Sequence, residues 1–194
     1  MALAAEKFIK TSGTPSGGEQ AMQSTGVGPV EVNRKAEFGG CTINDDGSAY
    51  AYSAATEEVI QNAADGYTDF SQLPHGMTSG VWDEVNDWMD LSELSAGDLV
   101  MYRISLEINP TTAGQTMELR VVGQVGESAE WWDEVWRHYE DGSDAFSIHI
   151  SGLFPASSQY GLDFPVQFRL VSDGAGTINT RSMHFNFFKR VSAY

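Results

Sequence analysis

A single cysteine, Cys41, occurs in 194 residues, so the chain can form neither an internal disulfide nor a zinc site built on cysteines. The thiol sits in "EFGGCTI", a strand-like stretch, and reads as a small buried hydrophobe without a catalytic role. Long apolar runs are also missing: none approaches the roughly 18–20 residues a bilayer-spanning helix needs. The opening "MALAAEKFIK" places Glu6 where a secretory signal would keep its apolar segment, so no such signal is expected. Positive charge is scarce. Lys and Arg total 11 against 27 Asp and Glu, a net charge of −16, and between Cys41 and Tyr102 there are twelve carboxylates and no Lys or Arg. Counterion release at basic side chains supplies most nonspecific nucleic-acid affinity, so neither nucleic acid nor an anionic membrane is expected as a partner. Phosphate-cradling GxxxxGK, HExxH and GxSxG patterns are absent, and "DGAGTIN" has Gly174 and Gly176 but no third glycine or following helix. It reads as a hairpin turn, and no cofactor is expected.

Hydrophobic residues make up 41% and charged residues 20%, a globular balance whose length suits one well-buried core plus an appendage. The appendage is at the start. Residues 11–29, "TSGTPSGGEQAMQSTGVGP", offer almost nothing to bury and cannot offset the entropy of ordering by themselves. They read either as a loose tail or as an arm ordered on a partner, which makes residues 1–35 an extended N-terminal arm. Its partner-binding candidates are Lys7, Phe8, Ile9, Lys10, Arg34 and Lys35. Basic residues gather here and again at Arg169, Arg181, Lys189 and Arg190, where they could meet an acidic surface.

From residue 36 to 194 the pattern is strand after strand. Val100, Tyr102, Ile104, Leu106 and Ile108 alternate with Leu99, Met101, Arg103, Ser105 and Glu107, the period of a half-buried strand with Ile104 inward and Arg103 outward. Met117, Leu119 and Val121 repeat the pattern, as do Phe146, Ile148 and Ile150 against Ser147, His149 and Ser151; "VQFRLV" and "SMHFNFFKRV" follow. "AATEEVIQNAADG" has helix formers, yet a strand around Val59 and Ile60 agrees better with its neighbours. The fold class is all-β.

The tetrapeptide Trp-Asp-Glu-Val occurs twice, in "VWDEVNDWMD" (81–90) and "WWDEVWRHYE" (131–140), each followed by a strand, a proline-containing loop and a strand with a central arginine, "ELRVV" and then "QFRLV". Duplication and β-sandwich periodicity both account for this. Functionally, Trp82, Trp88, Trp131, Trp132 and Trp136 could be sugar-stacking platforms, with Asp83 or Glu84 facing Asp133 or Glu134 as a glycosidase pair. Structurally, Trp82 and Trp132 would close equivalent corners of a sandwich, and this reading is preferred. The acidic clusters at 44–48, 82–90 and 139–144 suit calcium chemistry but match no twelve-residue calcium loop; Asp-Gly turns account for them. His75, His138, His149 and His184 lack metal-site spacing, so no metal is expected.

"GDLVMYRISLEINP", "MELRVVGQ" and "FPVQFRLVSDGAGTINTRSMHFNFFKR" together resemble the jelly-roll domains of virion accessory proteins of tailed bacteriophages, of capsid decoration (cement) or fibre type. The resemblance, over residues from about 36 to 194, is one of pattern: short strands, Asp-Gly corners and an aromatic last strand. It implies a jelly-roll β-sandwich of about eight antiparallel strands behind the arm, homotrimeric, with the major capsid protein or another virion protein as partner. The expected function is that of a noncatalytic structural protein, made in the host cytoplasm and bound as an oligomer to the outer capsid surface, which it reinforces. One alternative is a receptor- or carbohydrate-binding fibre or tail module using Trp82, Trp131, Trp132 and Trp136; a second is a small glycoside hydrolase.

Overall fold

The structure is a computed structural model and describes residues 21–22, 30–31, 36–45, 47–62, 66–158 and 160–190. The chain divides into two units, Met1–Ala36 with Arg190–Tyr194, and Glu37–Lys189. In the first, β1 (Ala21–Met22) and β2 (Val30–Glu31) form a short antiparallel pair. The arm candidates Lys7, Phe8, Ile9, Lys10, Arg34 and Lys35 lie outside the described residues.

The larger unit is built from β3 (Ala36–Ile43), β4 (Tyr50–Tyr52), β5 (Glu57–Val59), β6 (Thr68–Gln72), β7 (Trp82–Asp83), β8 (Trp88–Met89), β9 (Leu99–Pro110), β10 (Gln115–Gly123), β11 (Trp131–Glu140), β12 (Phe146–Pro155), β13 (Gln167–Ser172) and β14 (Gly176–Arg190). One sheet runs β12-β9-β14-β3-β6, with β4 also on β14; the other runs β11-β10-β13-β5. Four neighbouring pairs, β3 with β14, β5 with β13, β9 with β12 and β10 with β11, nest one inside another along the sequence. A long antiparallel ribbon wrapped around a core gives this order, and it is that of an eight-stranded jelly roll. β4 and β6 extend its larger sheet, and β7–β8 is a side hairpin.

The sequence periods build the core directly. Val100, Tyr102, Ile104, Leu106 and Ile108 of β9 are buried and Arg103 is exposed, as the alternation requires. Met117, Leu119 and Val121 of β10 face them, with Phe168 and Leu170 of β13 and Met183, Phe185 and Phe187 of β14. Tyr102 of one sheet meets Phe168 of the other at 5.0 Å between centroids. Within "AATEEV", Glu57–Val59 form strand β5, preceded by a turn.

The turn at "SDGAG" is not a hairpin. β13 and β14 belong to opposite sheets, so residues 173–175 cross between layers. The crossing is held by Gln115, whose amide donates to the Ala175 carbonyl at 2.8 Å, and by the Thr111 backbone N–H donating to the same carbonyl at 2.9 Å. Local turn chemistry is the same in a hairpin and in a crossover; only the partners of the flanking strands distinguish them.

Candidate functional site

Strand β11 is the edge of the four-stranded sheet and pairs along its length with β10. Trp132 stands opposite Val122 and Glu134 opposite Arg120, and the register then shifts so that Trp136 faces Leu119 and Arg137 faces Glu118. Val135 is the extra residue of this bulge, which resets the alternation halfway along the edge. Trp131, Trp132 and Tyr139 are left exposed, Trp131 at 53% and Trp132 at 49%. The Arg120 guanidinium lies 3.9 Å from the centre of the Trp132 ring and supports it from the sheet side.

Arg120 is itself held. Its cross-strand partner on β13 is Arg169, and like charges in opposed positions repel. Carboxylates from three directions make the arrangement stable. Glu57 on β5 accepts from Arg120 at 3.2 Å and from Arg169 at 2.8 Å. Glu130 takes both terminal nitrogens of Arg169, at 2.6 and 2.9 Å, and that hydrogen bonding holds its carboxyl below the usual range. Glu118 joins Arg120 at 2.6 Å to Arg137 at 2.8 Å, and Arg137 also pairs with Glu134. The two central arginines of "ELRVV" and "QFRLV" are therefore neighbours in space, and their shared carboxylates tie β5, β13, β10 and β11 into one charged outer face. What it presents at the edge is a preorganised aromatic ledge flanked by charge.

The repeated Trp-Asp-Glu-Val does not build two equivalent corners. Trp82, 7% exposed, donates its indole N–H to the Asn62 carbonyl at 3.1 Å and stacks on Phe185. Trp132 is a surface residue, which corrects the expectation of matching buried roles. The first copy lies in the β7–β8 hairpin packed on the core and the second opens an edge strand, so the same four residues meet different neighbours. Trp88 and Trp136 are half-buried, Trp136 stacked on His138 at 5.5 Å. Of the glycan-platform candidates, the structure displays Trp131 and Trp132, half-covers Trp136 and removes Trp82.

Of the carboxylates proposed for acid–base work, Asp83, Asp133 and Glu134 have other partners, and Glu84 is exposed. Asp83 accepts from the Asn86 side chain at 2.9 Å and from the Asn86 and Val85 amides at 3.0 and 2.9 Å, and these bonds lower its pKa, opposite to the need of a general acid. Asp133 accepts from the Tyr160 hydroxyl at 2.7 Å, and Glu134 pairs with Arg137. Asp45, Asp90 and Glu140 likewise accept from the amides of Gly47, Ser92 and Gly142, turn roles for all three acidic clusters. Among the described residues no group of three or more His, Cys, Asp or Glu is gathered to hold a metal ion. Cys41 is buried, and burial pushes its thiol up to about 12. His184 and His149 bond through Nδ1 to Thr42 at 3.0 Å and Ser105 at 2.9 Å.

A second displayed face was missed. On the outer side of the larger sheet the register aligns Leu153 of β12 with Met101 of β9 and Asn186 of β14, and the next row aligns Pro155, Leu99 and Phe188. Phe38 of β3 reaches Phe188 at 4.9 Å between centroids. Phe38, Leu99, Met101 and Leu153 are exposed. Beside them is a depression of about 540 Å³ floored by Gly39 and Gly40 and walled by Arg103, His184, Asn186, Gln72 and Asp69. The signal lay in the alternation itself: Leu99 and Met101 occupy the face that Arg103 and Glu107 make polar farther along the strand.

No family model and no curated protein matches the chain. Solved structures with a similar arrangement include Eiger TNF from S. frugiperda (TM-score 0.46, 6% identity, covering 83% of this chain and 96% of that one). Infectious bursal disease virus, Gx strain, gives 0.46 and 9%, covering 88% of this chain and 38% of that one. The PRD1 vertex protein P5 gives 0.38 and 15%, covering 82% and 100%. Viral proteins are thus among the structural neighbours, at a likeness too low to speak for function.

Proposed function

We propose that this chain is a noncatalytic structural protein of a phage particle, a decoration protein that assembles as a homo-oligomer on the outer capsid surface and reinforces it. The observation that carries the reading is the display of large apolar side chains at two separate places on the jelly roll, Trp131, Trp132 and Tyr139 along the β11 edge and Phe38, Leu99, Met101 and Leu153 on the outer face of the larger sheet. Monomeric proteins rarely leave contiguous apolar patches uncovered, and such patches mark contact with other chains. The jelly roll suits this work because its rigid sheets hold surface side chains in fixed register, although the fold alone does not select the function. Residues 1–35, with Lys7, Lys10, Arg34 and Lys35, supply an attachment arm to an acidic partner. Co-sedimentation with purified particles tests the reading: the full chain is expected to pellet with capsids and to raise their thermal stability. Protein that stays in the supernatant and leaves capsid melting unchanged would refute it.

Exposed Trp132, backed by Arg120, favours a second reading, a carbohydrate-binding module. Titration with a glycan panel distinguishes the two. Saturable glycan binding lost in Trp132→Ala, without capsid binding, would replace the decoration role with recognition of a sugar surface.

A further inference from the structure

The cations of the larger unit are Arg103, Arg120, Arg137, Arg169, Arg181 and Lys189. Arg120, Arg137, Arg169 and Arg181 are ion-paired with carboxylates of their own chain. Arg103 and Lys189 have no carboxylate partner among the described residues. Arg103 flanks the apolar rows of the larger sheet, two positions beyond Met101 on the same face of β9, whereas Lys189, next to Phe188 on β14, falls on the opposite face and donates to the His75 carbonyl at 3.0 Å. This face of a strongly acidic protein is therefore apolar at its centre, with Arg103 at its margin.

The complementary surface is on the same molecule. Between β7 and β8 the chain turns through Glu84, Val85, Asn86 and Asp87, and Val85 is 84% exposed. Asp83 accepts from the Val85 and Asn86 amides and Asn62 donates its amide to Asp87 at 2.6 Å, so the tip is held rigid with its valine outward. Asp83 and Asp87 are occupied by these bonds, while Glu84 is exposed beside Val85. The tip is an apolar knob with an acidic margin.

The geometry points to a contact between copies of this chain in which the β7–β8 tip of one protomer seats Val85 against Leu153 and Met101 of the next and places Glu84 beside Arg103. Charge complementarity selects this occupant. Two copies of a chain with net charge −16 repel each other over most of their surfaces, and this pairing sets an acidic tip against Arg103, an arginine with no ion-pair partner among the described residues. Successive side chains on one strand face are about 7 Å apart, so Met101 and Arg103 can meet adjacent residues of a turn. Because knob and face are different surfaces, the association is head-to-tail, and a rotation that closes produces a ring of discrete mass. The inference rests on the homo-oligomer of the proposed function and assigns its surfaces.

Sedimentation equilibrium and light scattering of the full chain test it. The wild type is expected to form a discrete oligomer at micromolar concentration. Leu153→Asp and Val85→Asp are each expected to weaken association about tenfold or more, with unchanged circular dichroism because both positions are exposed; Met101→Glu replaces Leu153→Asp if that variant misfolds. Glu84→Arg and Arg103→Glu should each weaken association, and the doubly exchanged protein should recover it. A monomeric wild type, an association indifferent to either apolar variant, or a double exchange without recovery would overturn the contact. Particle binding is scored separately: a monomer that pellets with capsids defeats this contact and leaves the decoration role standing, whereas an oligomer that ignores capsids does the reverse.

Discussion

Trp82 fills the space beside Phe185 and satisfies the Asn62 carbonyl, so Trp82→Ala removes a core ring and a buried hydrogen bond together. The expected cost is about 3–5 kcal/mol. Trp132→Ala removes a half-exposed ring and one cation–π contact and should cost about 0.5–1 kcal/mol. Urea denaturation of the two variants reads the contrast, and equal losses would contradict the assigned environments. Cys41 gives a second test at this scale. With its thiol pushed up to about 12 by burial, the thiolate is scarce at neutral pH and alkylation has no open route. Native protein is therefore expected to resist a thiol reagent at pH 7.5 and to react rapidly in denaturant; rapid native labelling would show Cys41 to be accessible.

Among the elements, the four-stranded sheet depends most on ionised groups. β5 contributes three residues, and its Glu57 neutralises the opposed Arg120 and Arg169. The Glu130 carboxyl is held low by Arg169. A carboxyl depressed in the folded state contributes stability that is present above its unfolded value, about 4.3, and is lost as pH falls through the folded value. The sheet is therefore expected to weaken on acidification below about pH 4.3. Urea unfolding at pH 7 and pH 3.5 should show a smaller acid loss in Glu130→Gln than in the wild type. An identical acid loss would mean that the pair does not couple to folding.

At the scale of the whole molecule, the ribbon closes by pairing its most distant strands, β3 with β14. Such long-range pairing requires loop closure before contacts form, so folding is expected on the millisecond-to-second scale of β-sandwiches. Stopped-flow refolding monitored by tryptophan fluorescence measures it. Among the described residues the buried core side chains all fall within Glu37–Lys189. Deleting residues 1–30 should therefore leave the thermal transition nearly unchanged while reducing attachment to particles. Loss of folding on deletion, or full attachment without the arm, would contradict the arm's role.

The alternating residues of β9, β10, β12 and β14 determined the strands and the inward set, because a period of two assigns each side chain to a face whatever the strand's partner. Arg103 outward and Ile104 inward needed nothing more. Partnership was not written locally. The same Trp-Asp-Glu-Val became a core-packed hairpin at Trp82 and an exposed edge at Trp132, because burial depends on what the fold sets across from a residue. The turn at residues 173–175 carries hairpin-like residues yet crosses between sheets, and the pairing of Arg120 with Arg169 joins residues 49 positions apart. The displayed faces belong to the same class. Leu99 and Met101 become a patch only when β12, β14 and β3 align Leu153, Phe188 and Phe38 beside them, a contiguity that register across four strands creates and a linear pattern cannot hold.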